Sequence, residues 1–94
     1  MFARRFFTAL TDSITVKLQS ALKPSYVNVI SQDGTDYMLT IVVVTDDFAG
    51  KRLVARQRMI NQHLKDFWDQ GLHGTILVTK TNEEWAKEDK SQYQ

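Results

Sequence analysis

Four consecutive residues, Ile41-Val42-Val43-Val44, restrict what this chain can fold into more than any other feature. Side chains alternate across a strand, so an unbroken run of β-branched apolar residues needs cover on both faces. The run lies within YMLTIVVVT (37–45) and predicts a strand at the centre of a sheet. SYVNVIS (25–31) is also rich in β-branched and aromatic residues. The QDGTD between the two, with a glycine after an aspartate, is a hairpin signal. TILVTK (75–80) reads as a third strand.

The remaining apolar residues follow the helical period. In residues 8–22, Leu10, Ile14, Leu18, Ala21 and Leu22 step by three and four and share one face; Pro24 stops the helix. TDDFAGK (45–51) is a connection with polar caps and a glycine. Residues 51–69 read as one long helix, with Leu53, Ile60, Leu64 and Phe67 gathered on one side and Trp68 at its edge. Gly71 is its expected C-terminal stop. TNEEW (81–85) opens a last short helix, with Thr81 as N-cap and Glu84 completing a capping box. The order α-β-β-α-β-α predicts an α+β two-layer sandwich, a small mixed three-stranded sheet with helices on one face.

At 94 residues the chain makes one domain with a small core. It has no cysteine, which excludes a disulfide scaffold, a thiolate metal site and a cysteine nucleophile. The net charge of +1 exerts no general pull on nucleic acid or membrane, and no apolar run reaches the ~20 residues of a membrane span. FAGK lacks the spacing of a phosphate loop, and no serine sits in a G-x-S-x-G elbow. The acid pairs Asp46-Asp47 and Glu83-Glu84 stand at helix starts, where carboxylates serve as caps. An enzyme is not expected. The start, MFARRFFTALT, holds two arginines, three phenylalanines and no acid. It reads either as an arm leading into the first helix or as a short mitochondrial-type presequence.

Two features bear on binding. Lys51, Arg52, Arg56, Arg58 and Lys65 fall within residues 51–65 with no acid among them. They form either a solvated face or a patch for an acidic protein or phosphates. Of the two histidines, His63 lies inside the long helix and reads as a surface residue. His73 stands in GLHG, beyond the helix stop and before the strand, where a ring can be presented outward. One imidazole cannot hold a metal tightly unless a partner brings further ligands.

LKPSYVNVIS, IVVVTDDFAGKRLVARQRMIN, LHG and TNEEW, in this order and spacing, resemble the BolA family along residues 8–86. The telling pieces are Phe48-x-Gly50-Lys51, Arg56-x-Arg58-Met59-Ile60, His73 and Thr81…Glu84-Trp85. The resemblance implies a BolA-like domain over 9–88 with a fold like class II KH domains, an arm or targeting segment at 1–8 and a tail at 89–94. It implies a non-enzymatic role in iron–sulfur cluster assembly, trafficking or iron signalling, in a heterodimer with a monothiol glutaredoxin. If the first eleven residues target, the location is the mitochondrion or a related organelle; the alternative is the cytoplasm. The cofactor is then a 2Fe–2S cluster shared with glutaredoxin and glutathione and absent from the isolated chain. In this picture His73 is the chain's ligand. Lys51, Arg52, Arg56, Arg58 and Gly74 contact the partner. The chain alone is a monomer, and iron–sulfur clients are further partners. Imidazole in place of thiolate raises a cluster's potential and makes its ligation pH-sensitive.

The sequence departs from the family in two places. The loop between the first two strands, SQDGTDY, carries neither the Cys nor the His that members commonly place there; Asp33 and Asp36 are poorer donors for such iron. The family's Arg-His-Arg is Arg56-Gln57-Arg58 here, and Gln57 neither titrates nor ligates as histidine does. The rival reading is a KH-like nucleic-acid binder or transcriptional regulator using the basic helix. Gly71-Leu72-His73-Gly74 has the letters of the KH loop, but it joins a helix to a strand. A third reading is an interaction module without cluster ligation.

Overall fold

The computed structural model describes residues 2–31, 38–69 and 72–88, with side chains from Leu10 onward. In chain order it contains α1 (Phe2–Leu22), β1 (Tyr26–Ser31), β2 (Met38–Val44), a 3₁₀ turn (Asp46–Phe48), α2 (Leu53–Asn61), α3 (Lys65–Trp68), β3 (Gly74–Lys80) and α4 (Asn82–Ala86). The expected mixed sheet is present. β2 is central, antiparallel to β1 and parallel to β3, with Ile41 opposite Val29 on one side and Leu77 on the other. Among the described residues no helix is long and apolar enough to cross a membrane.

The apolar run is covered on both faces, as its composition demands. Leu39, Ile41 and Val43 join Leu10, Ile14 and Leu18 of α1, Ile60, Leu64 and Phe67 of the second helical region, and Phe48 and Leu72 in one core. Val42 and Val44 point the other way and are also fully buried. On that second face Tyr26, opposite Val44, stacks on Trp85 of α4 with ring centroids 5.3 Å apart. The last helix thus reaches the side that α1 to α3 leave bare.

Four expectations change. The helix expected over 51–69 is broken. The His63 N–H donates to Ile60 O and the Leu64 N–H to Asn61 O, three residues back, so the chain tightens into turns between α2 and α3. Leu53 also leaves the expected apolar stripe. It lies seven residues before Ile60 on the same helix face, but it is 57% exposed, with no core opposite the first turn of α2. Ala21, about 60° to the side of Leu18 around the helix, is exposed too. Residues 2–8 are continuous with α1. The QDGTD loop and Gly71 fall outside the described residues. The Leu72 N–H bonds Phe67 O at 3.4 Å, and both side chains are buried in the core.

Thr79, on the helix-facing side of β3, has a buried hydroxyl with no hydrogen-bond partner among the described residues. Valine has the same shape without the desolvated oxygen. Thr79→Val is expected to raise the unfolding free energy by about 1 kcal/mol, read as a higher urea midpoint at unchanged slope.

Candidate functional site

The motif residues gather at the two ends of β3. At its start stands His73. The residue before it, Leu72, is 3% exposed and anchored in the core. The residue after it, Gly74, opens β3 opposite Met38. A Cβ at Gly74 would meet Met38 Sδ, so the strand start packs closely against the flexible end of that side chain. Two pinned neighbours hold the backbone of His73 while its side chain stays exposed. The ring is presented outward from a fixed backbone, as its place in GLHG led one to expect. The strand pairing that brings Met38 beside it was not foreseen. Only the register, which sets the first residue of β2 against the first of β3, reveals it.

At the other end of β3, seven residues and roughly 20 Å away, the FAGK and TNEEW motifs meet. Arg56 joins them. Its Nε donates to Lys51 O at 2.9 Å and its Nη1 to Thr79 O at 3.2 Å. Nη1 and Nη2 grip the Glu84 carboxylate at 2.7 and 3.4 Å, and the guanidinium lies 5.8 Å from the centroid of the Phe48 ring. The same carboxylate accepts from the Thr81 N–H while the Thr81 hydroxyl accepts from the Glu84 N–H, which completes the expected capping box. Asp46 accepts from the Asn82 N–H, so this acid also serves as a cap. Gly50 has φ 75°, a left-handed conformation that strains other residues, with open space around it.

This geometry sorts the basic residues. Arg56 has a side chain only 13% exposed and its donors turned inward; it joins α2, β3 and α4. Lys51, Arg52 and Arg58 are exposed and form the charged surface of α2. Lys51 and Arg52 lie toward the end of β3 remote from His73. His63 is half-buried at the break between α2 and α3.

Hydrogen bonding from Arg56, then the Thr81 backbone, lowers the Glu84 pKa from 4.5 to about 2. A carboxylate whose pKa is lower in the folded state contributes stability that is fully present above its unfolded pKa and is lost as pH falls toward the folded value. The protein is therefore expected to weaken between about pH 5 and pH 2 in part through this group. Glu84→Gln should flatten the pH dependence of the urea midpoint in that window. Arg56→Ala, which also strips donors from two carbonyls, should destabilise at pH 7 by about 2 kcal/mol.

An exposed imidazole at the head of the last strand and a charged clasp at its other end mark this small two-layer α+β domain. The fold and its motifs agree with known proteins. A family model described as BolA-like protein matches residues 13–84. The chain is 32% identical over 85 residues to a Vibrio cholerae protein named DNA-binding transcriptional regulator BolA, covering 83% of this chain and 80% of that one. It is 31% identical over 75 residues to Arabidopsis thaliana Protein BOLA2, covering 79% and 81%. The solved structure of BolA1 from Arabidopsis thaliana superposes with a TM-score of 0.75 at 26% identity, over 80% of this chain and 94% of that one. The BolA domain of SufE1 from the same plant superposes at 0.73 with 31% identity, over 79% and 93%. The chain belongs to the BolA-like protein family.

Proposed function

We propose that this protein is a non-enzymatic adaptor that pairs with a monothiol glutaredoxin and offers His73 to a 2Fe–2S cluster shared between them. The observation that carries the reading is His73 itself: exposed, on backbone pinned from both sides, in a BolA-family chain without cysteine. The donor chemistry suits a cluster whose other ligands come from a partner. Imidazole is an accepted ligand of cluster iron, and thiolates must come from elsewhere. Among the described residues no group of three His, Cys, Asp or Glu could hold a metal ion. When bound, such a cluster supplies iron and sulfide for transfer or an electron for signalling. This chain's residues hold the imidazole in place and dock the partner through the exposed Lys51, Arg52 and Arg58. The test is to mix the chain with glutathione-loaded holo-glutaredoxin and follow visible absorption and circular dichroism. A spectrum indifferent to His73→Ala overturns the assignment.

DNA binding is the second reading. The Vibrio protein's name and the exposed cations of α2 favour it, and the near-neutral net charge opposes it. Its mark is binding that weakens steeply with salt, with a slope of several phosphates.

A further inference from the structure

β3 is an edge strand, and among the described residues its outer edge carries no charge, proline or bulge from Gly74 to Thr79. The sheet order leaves β3 with one neighbour, β2. Successive peptide groups along a strand face alternate sides. Lys80 O turns toward β2, where it accepts from the Thr45 N–H, while Thr79 O turns away and accepts from Arg56. The peptide groups of Leu77 and Thr75, two and four residues back from Thr79, therefore also face outward, and those of Gly74, Ile76 and Val78 face β2. Natural edges are blunted with charge, proline or a bulge. From Gly74 to Thr79 this edge has no charged residue and no proline, and it keeps unbroken register with β2. Arg56 occupies only Thr79 O, at the far end. Ile76, on the second face of the sheet, is 52% exposed.

We propose that this edge pairs antiparallel with the same edge of a second copy of the chain, about a two-fold axis at Ile76. The occupant follows from the edge itself. An uncharged segment selects no charged partner, whereas GTILV complements itself. In this register Thr75 and Leu77 of one copy exchange hydrogen bonds with Leu77 and Thr75 of the other. The Ile76 side chain meets its counterpart in the close, non-hydrogen-bonded pair, with Cα atoms about 4.5 Å apart. The two sheets become one of twice the width, and an exposed isoleucine is buried. A net charge of +1 offers little repulsion. The pairing ends at Gly74 and Val78, so it uses neither His73 nor the clasp. It replaces the expected lone monomer with a concentration-dependent dimer.

Sedimentation equilibrium of the full chain from about 10 μM to about 1 mM tests this, since self-association follows mass action. The dimer fraction is expected to rise across the range, with amide exchange at Thr75 and Leu77 slowing in parallel. Ile76→Lys places a charge on an exposed position of the edge and should weaken the dimer by about tenfold or more. Val16→Lys adds the same charge to the exposed side of α1, where Val16 is 61% exposed, and should leave the dimer intact. Protected β2 amides report that both variants fold. A wild-type chain monomeric throughout overturns the proposal. So does a dimer that survives Ile76→Lys as well as Val16→Lys, or one in which the Thr75 and Leu77 amides exchange at the monomer rate.

Discussion

Phe48→Ala is expected to lower the unfolding free energy by about 3–5 kcal/mol, the cost of losing a fully buried aromatic ring and leaving its cavity. A domain of this size has of order 5–15 kcal/mol in total, so the midpoint of thermal unfolding should fall by on the order of 20 °C. The ring projects from a 3₁₀ turn into the core beside Ile60 and Leu64, and Arg56 lies over it. The turn around it is held by the Thr45 hydroxyl accepting from the Asp47 N–H and by the Lys51 N–H donating to Phe48 O. A cavity there loosens the floor beneath Arg56, so the effects of Phe48→Ala and Arg56→Ala should fall short of their sum. Differential scanning calorimetry of the two single variants and the double variant measures both quantities. A loss below about 1 kcal/mol for Phe48→Ala contradicts the packing described.

His73→Ala is expected to abolish the change in visible circular dichroism when the chain meets holo-glutaredoxin, while the fold survives. The fold survives because the packing belongs to the neighbours: Leu72 is in the core and Gly74 lies against Met38, whereas the His73 side chain is exposed. The spectral loss is complete because the chain has no thiol to substitute. His63→Ala is the control. It removes the chain's other imidazole from the break between α2 and α3 and should leave the spectrum unchanged. If the two variants behave alike, the imidazole at the head of β3 is not the ligand. If His73→Ala binds the glutaredoxin as tightly as wild type, docking rests on the charged surface of α2 and the ligand adds no affinity.

The central strand and the last helix were legible because each rests on local chemistry. Ile41 to Val44 can only be a strand covered twice, and Thr81 with Glu84 satisfies its helix start within four residues. The long second helix was misread because periodicity counts faces, not interruptions. Leu64 and Phe67 keep their place in the core through the tight turns at His63 and Leu64, whereas Leu53 has nothing opposite it. Arg56 was grouped with its exposed neighbours because a charge list does not tell which cation meets a carboxylate. Glu84, 28 positions away, becomes its partner only when β3 returns beside β2. His73 was legible as a presented residue; Met38 beside its neighbour is a product of register.

The length of β3 has a consequence for how such a chain can diverge. Groups separated by roughly 20 Å change almost independently in energy. A substitution that removes the imidazole therefore leaves the Arg56–Glu84 clasp at full strength, and one that reshapes the clasp leaves the imidazole presented. On the proposed reading, ligation and architecture are separable inheritances: a descendant can lose the first, keep the second and remain well folded.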